Sequence, residues 1–81
     1  MATKTLELEK LADGRGCLGR ADDDEPLFIL RAQDRLAPTL VRLWASLAIL
    51  HDCPKALDAL ALADQMDDWG RRRPGRVKWP D

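Results

Sequence analysis

The residue spacing with the most chemical content is Gly14-Arg-Gly16-Cys-Leu-Gly19, which matches the G-x-G-x-x-G spacing of dinucleotide-binding turns. In such a site the glycines let the backbone approach a pyrophosphate at the start of a helix. Here an acidic run and a proline follow, and a chain of 81 residues is too short for the βαβ unit that such a site needs. The pattern therefore predicts a glycine turn and no cofactor.

Nucleophilic or metal chemistry would have to use His51, the single histidine, with Cys17 or Cys53. Asp52 and Cys53 adjoin His51 in sequence instead of coming from separate elements, so they give poor support for a Cys–His pair. Two cysteines and one histidine fall short of a closed zinc site, and the acidic run lacks the alternating oxygen ligands of a calcium loop. We expect no catalytic residue and no metal, and therefore no enzyme.

Acidic side chains form the first candidate binding surface. An acidic run before Pro26 and three aspartates of a later helix can together imitate nucleic-acid phosphates and attract a basic groove on a partner protein. The residues of this predicted protein-binding surface are Asp22, Asp23, Asp24, Glu25, Asp64, Asp67 and Asp68.

Polar residues between two apolar stretches form the second candidate. Three arginines there can converge near a helix N-terminus and hold a phosphorylated ligand, with an amide and a carboxylate supplying directional hydrogen bonds. The favoured alternative is an ion-pair and capping cluster, in which Asp34 caps the following turn. The residues concerned are Arg31, Gln33, Asp34, Arg35 and Arg42.

The basic C-terminal tail is the third candidate. Residues 70–81 carry five basic and one acidic side chain (+4), whereas residues 1–25 carry four and seven (−3), so the net charge of −1 hides an asymmetry. Arginines neutralise phosphates and an aromatic ring stacks on a base, so the tail has the ingredients of nucleic-acid contact. The alternative is a tail that folds back on the acidic helix end. The residues are Arg71, Arg72, Arg73, Arg76, Lys78 and Trp79.

Two helices must position these groups. The first is predicted from residue 38 to 51, with Pro38 in its first turn, because apolar residues recur at helical spacing: Leu40, Leu43, Trp44, Leu47, Ala48 and Leu50. The second is predicted from 54 to 69, with Asp58, Gln65 and Asp68 outward and these residues inward: Ala56, Ala59, Leu60, Leu62, Ala63, Met66 and Trp69.

Short connections and small residues define how these helices should pack. Asp52 or Cys53 is expected to cap the second helix and Gly70 to end it. The connection of residues 51–53 is so short that an antiparallel hairpin is expected, with alanines permitting close approach. Trp44 and Trp69 are expected in the core.

The N-terminal half gives weaker patterns. Residues 5–11 alternate like a strand but are mainly helix formers, so we predict a short helix. Residues 27–30 fit either a buried strand or a helical turn. Residues 13–16 and 22–26 predict turns or loops, and 71–76 an irregular tail held by Val77 and Trp79. The predicted fold class is mainly α: an antiparallel helical hairpin with a shorter N-terminal helix or strand segment and an irregular basic C-terminal tail.

Length and composition favour a single domain over residues 1–81. Within it we distinguish an N-terminal segment and acidic loop (1–25), a helical core (26–70) and the basic tail (71–81). So small a core leaves little net stability, which makes a homo-oligomer the expectation. The sequence has no signal peptide, no disulfide framework and no apolar run that approaches a membrane span, so we expect a cytoplasmic protein.

Part of the chain also resembles a group of small phage and prophage proteins. The resemblance covers roughly residues 17–69 and lies in Cys17-Leu-Gly-Arg-Ala21, Asp24-Glu-Pro-Leu-Phe28, Leu30-Arg-Ala-Gln-Asp34, Ala37-Pro38 and Val41-Arg-Leu-Trp44. It implies a mobile-element origin and no particular reaction. Small phage proteins without catalytic residues often occupy a host factor. We therefore expect an accessory or counter-defence protein that binds a bacterial host protein or a nucleic-acid-handling complex, most specifically as an anti-CRISPR-like inhibitor.

Overall fold

The computed structural model of the protein describes residues 2–79 and contains, over that range, four α-helices and one short 3₁₀ helix. No strand forms in this range; a single isolated bridge pairs Asp34 with Lys78. The predicted mainly α fold is confirmed. The elements are α1 (Lys4–Ala12), α2 (Gly16–Arg20), α3 (Ala37–Leu50), α4 (Ala56–Arg72) and the 3₁₀ helix Pro74–Arg76.

The short helix predicted near the N-terminus is present as α1. Thr3 caps it, because its Oγ1 accepts a hydrogen bond from the backbone N–H of Leu6 at 3.2 Å. Gly14 and Gly16 then adopt the left-handed conformation, with φ of 70° and 75°. A Cβ on Gly19 would lie 2.6 Å from the backbone carbon of Gly14. Gly14 and Gly16 thus shape the turn between α1 and α2, and Gly19, within α2, permits the close approach of α2 to that turn.

Both ends of α4 differ from the prediction. The helix begins after Lys55, which makes no side-chain cap bond, so capping by Asp52 or Cys53 is wrong. It also continues through Gly70 to Arg72. Gly70 is buried, and a Cβ there would lie 3.0 Å from Cγ2 of Val77. This glycine therefore permits close approach of the C-terminal segment, and it does not end the helix.

Small side chains form the contact between α3 and α4. Ala45 of α3 and Ala63 of α4 have no exposed surface, and Ala37 and Ala56 are also buried. Among the described residues no large side chain is fully buried. Alanines let two helix backbones approach closely but bury little apolar area per residue. The two longest helices are thus held together at short range by a thin core.

This contact explains two further corrections. Trp44, which we expected in the core, is 51% exposed, because the alanine side of α3 faces α4 and carries Trp44 away from the contact. Gln65, which we expected outward, is half-buried. Trp69 is half-buried as well, with the Arg73 guanidinium 4.9 Å from its ring centroid.

The helices form two pairs. The backbones of α1 and α2 lie close together, as do those of α3 and α4, but no Cα atom of the first pair lies within 8 Å of a Cα atom of the second. Residues 21–36 are the connection between the pairs. The single domain over residues 1–81 stays a prediction.

We predict that Ala63→Leu lowers the free energy of unfolding by about 1–3 kcal/mol, because the larger side chain pushes α3 away from α4. Ala61→Leu is the matched control: the same change in the same helix, at an exposed position. It should change stability by no more than about 0.5 kcal/mol. Urea unfolding followed by circular dichroism measures both, and equal effects of the two variants would refute the alanine contact.

Candidate binding surfaces

The longest unbroken run of exposed residues within 2–79 is residues 22–29, here named the acidic–apolar segment. It places four acidic side chains directly before Leu27, Phe28 and Ile29. Phe28 is 85% and Ile29 68% exposed, and every residue of the segment belongs to the exposed class. An aromatic ring left this open in a folded chain retains almost all of its apolar surface for a partner.

The backbone of this stretch is also open. Residues 26–30 form no hydrogen bond with any described residue, and they have no regular secondary structure. The buried strand and the helical turn that we predicted for residues 27–30 are therefore both wrong. Pro26 lacks an N–H donor and disfavours helical backbone in the residue before it, so the absence of a helix here agrees with the sequence. N–H and C=O groups without a partner in the chain can pair with the edge of another sheet.

The acidic half of the segment keeps its charge free. Glu25 turns back so that its Oε1 accepts the backbone N–H of Asp22 at 3.1 Å, which closes a turn. None of the four carboxylates forms an ion pair with a described residue. The segment therefore presents an uncompensated negative charge beside its apolar half.

The three acidic residues of α4 are in a different situation. Arg42 Nη2 donates to Asp64 Oδ1 at 2.8 Å and to Asp67 Oδ2 at 2.5 Å. Asp68 pairs with Arg72 at 3.2 Å and Arg71 at 3.6 Å. Their charges are matched within the chain. The negative surface predicted from the sequence is thus reduced to residues 22–25.

Arg42 acts as a clamp between α3 and α4. The hydrogen bonds to Asp64 and then to Asp67 raise the pKa of the Arg42 guanidinium above its ordinary value, so it stays charged at every physiological pH. A charged guanidinium between two carboxylates fixes the start of α3 beside the later half of α4. Its role is structural.

The other residues of the predicted phosphate site do not converge on one point. Asp34 Oδ1 accepts the N–H of Leu36 at 2.8 Å, and the Arg35 guanidinium lies 5.7 Å from the centroid of the Trp79 ring. Arg31 is exposed. The backbone carbonyl oxygen of Gln33 accepts a hydrogen bond from the backbone N–H of Lys78. This arrangement matches the alternative of an ion-pair and capping cluster.

A surface groove of about 450 Å³ does lie beside this cluster. Asp34, Arg35, Asp67 and Arg71 contribute two negative and two positive side chains to its lining, while Arg31 and Arg42 do not line it. A phosphate needs an excess of positive donors. The balanced charges of the groove therefore do not favour an anion.

The basic tail is folded onto the chain and is more ordered than predicted. Lys78 donates its N–H to the Gln33 carbonyl at 2.9 Å and accepts the Arg35 N–H at 3.0 Å. Arg73 and Arg76 lie over the ring of Trp69, at 4.9 and 6.0 Å from its centroid. These contacts and the ion pairs of Asp68 correspond to the alternative of a tail that folds back on the acidic helix end.

The remaining candidates for chemistry stay apart. His51 is exposed at the end of α3, and Cys17 and Cys53 are free thiols. Within the described range no three side chains of the metal-binding types cluster. Over the same range no helix has both the length and the apolar content required to cross a membrane.

Comparisons of the chain with protein-family models, with curated proteins and with solved structures gave no match. The sequence analysis did not anticipate the exposure of Leu27, Phe28 and Ile29, because an apolar run is ordinarily part of a core. The sequence does contain a relevant pattern: four acidic residues and a proline stand directly before the run.

We predict that Arg42→Gln lowers the melting temperature, because the neutral amide cannot hold both carboxylates of α4. Arg31→Gln, the same change at an exposed arginine that forms no ion pair among the described residues, should leave it unchanged. The difference should shrink in high salt, since both partner aspartates are partly exposed and their interaction is screened. Thermal unfolding at two salt concentrations checks this. Identical melting temperatures for the two variants would contradict a stabilising role of the ion pairs that Arg42 forms between α3 and α4.

Proposed function

We propose that this chain is a non-catalytic accessory protein that binds a partner protein through the acidic–apolar segment. The observation that carries the proposal is the exposure of Phe28 and Ile29, at 85% and 68%, next to four unpaired carboxylates. By contrast, Asp64, Asp67 and Asp68 of α4 form ion pairs within the chain, and the half-buried ring of Trp69 has the Arg73 guanidinium 4.9 Å from its centroid.

Each part of the segment supports a different step of binding. Uncompensated negative charge accelerates encounter with a basic surface and selects against acidic ones. A large aromatic side chain that enters a pocket contributes much of the affinity of an interface. Backbone without hydrogen bonds can add as a strand to an exposed sheet edge. The segment thus has the composition of a linear binding motif held between two helical pairs.

The chemistry of the segment defines the partner by class. It should present a positively charged groove that contains an apolar pocket, as the nucleic-acid-binding surfaces of many proteins do. The resemblance to small phage proteins favours a bacterial host protein or a nucleic-acid-handling complex as that partner, with an anti-CRISPR-like inhibitor as the most specific form. The proposal places the chain in the cytoplasm of a bacterial cell.

Phosphorylated ligands and direct nucleic-acid binding receive less support. Both need free arginines, and the side chains of Arg35, Arg42, Arg71, Arg72 and Arg73 already contact carboxylates or aromatic rings in the chain. A ligand would have to displace these contacts before it gained its own. The carboxylates of the acidic–apolar segment form no ion pair with a described residue, and the hydrogen bond that Glu25 Oε1 accepts comes from within the segment.

We predict that Phe28→Ala abolishes partner binding, whereas Leu8→Ala, at a half-exposed position of α1, preserves it. The tagged full-length chain is expressed in a bacterial host, and the proteins that co-purify are quantified by mass spectrometry for both variants. A partner should be recovered in stoichiometric amount with the wild type and lost by at least about 30-fold with Phe28→Ala. Equal recovery with Phe28→Ala, or no partner at all, would refute the proposal.

Two further experiments test the charge of the segment and its ability to bind on its own. Replacing Asp23 and Asp24 by asparagine should weaken capture mainly at low salt, because steering by charge is screened.

A synthetic peptide of residues 20–31 should compete with the full chain for the partner, since residues 26–30 have no regular secondary structure and form no hydrogen bond with any described residue. Failure of the peptide to compete would place binding on another surface.

A further inference from the structure

α3 has two opposite apolar sides, and only one of them is covered. Leu43 and Leu47 each stand two residues from Ala45, and a helix turns about 100° per residue, so both lie on the side opposite the α4 contact. They are 56% and 55% exposed, whereas Ala45 is fully buried. Arg42, the only charged residue of α3, is held by α4. A helix without outward charge is expected to be covered on every side.

The uncovered side consists of regularly spaced leucines. Five leucines follow one another at intervals of four, three, four and three residues, which is the spacing of a coiled-coil seam. Their exposures run from 39% to 76%. We name this row the leucine seam; it consists of Leu36, Leu40, Leu43, Leu47 and Leu50.

The surface area of the chain gives an independent measure. A compact protein of 9.1 kDa is expected to expose roughly 4,900 Å², whereas this chain exposes 6538 Å². The surplus of about 1,600 Å² is twice the roughly 800 Å² that each partner buries in an interface of standard size. One interface of standard size at the leucine seam would bury about half of this surplus.

We propose that the leucine seam is the interface of a homodimer, in which α3 of a second copy covers α3 of the first. A seam of a single residue type with heptad spacing is complementary to itself, as a two-fold interface requires. Burial of its leucines supplies the large apolar side chains that the alanine core lacks. The acidic–apolar segment stays outside the seam, so each dimer offers two copies of it to a partner.

Leu43 is the middle leucine of the seam and lies near the two-fold axis whether the paired helices run parallel or antiparallel. Leu43→Glu and Leu43→Lys should each weaken the dimer by at least about 30-fold, because a charge enters the centre of an apolar interface. Mixing the two variants should restore it, because opposite charges then face each other. Leu8→Glu, a leucine of equal exposure on α1, is the control.

Analytical ultracentrifugation of the full chain over a dilution series measures the mass of each species, and circular dichroism verifies that the variants stay helical. The wild type and Leu8→Glu should have the mass of two copies that falls to one on dilution. Each Leu43 variant alone should have the mass of one copy, and the mixture that of two. A wild type of single-copy mass at all concentrations, or no recovery in the mixture, would overturn the proposal.

The same variants distinguish this interface from the proposed function. Phe28→Ala should remain dimeric, and Leu43→Glu should still capture the partner of the acidic–apolar segment. If the wild type has single-copy mass and a host protein is lost with Leu43→Glu but not with Phe28→Ala, the seam belongs to that host protein. That outcome would overturn the homodimer and move the binding site to α3.

Discussion

The packing of α3 against α4, in which small side chains such as Ala45 and Ala63 are fully buried, is the constraint on which the rest of the structure depends. Because small side chains fill this contact, the two helix backbones approach closely, and the larger apolar residues of α3 are turned away from α4. The core that results contains no fully buried large side chain within the described range. Apolar area that an ordinary small domain would bury inside itself is here available for association.

Charged residues reinforce this arrangement at one end. Arg42 joins the start of α3 to two aspartates of α4, and Asp68 holds two arginines of the last helical turn. The C-terminal segment then covers Trp69 and pairs its backbone with residues 33–35. Most of the arginines that suggested a phosphate site or a nucleic-acid-binding tail are therefore already in contact with carboxylates or aromatic rings of the chain. Residues 22–25 are four consecutive acidic residues that form no ion pair with a described residue, and we propose that they and the apolar residues that follow bind the partner.

The sequence predicted the bounds of the helices better than it predicted which side of each helix is buried. Helical periodicity identified α3 and α4 to within a few residues, since the pattern extends over many turns. It could not decide which apolar side of α3 faces α4, because leucines at 43 and 47 and alanines at 45 and 48 recur with equal regularity. Residues 27–30 were assigned to regular structure from their composition, although no neighbour is there to pair with their backbone. The alternative of a folded-back tail was found from opposite charges alone, whereas the pairing of Lys78 with Gln33 depends on backbone geometry that no side-chain pattern encodes.

The central claim is that α3 keeps an uncovered side for a second copy while the acidic–apolar segment remains free. Amide hydrogen exchange of the full chain at a low and a high protein concentration tests it most directly, because association stabilises the helices that it covers. The account predicts that amides of residues 37–50 exchange more slowly at the higher concentration and that residues 27–30 exchange rapidly at both. Exchange in α3 that does not depend on concentration, together with protected amides at 27–30, would contradict it.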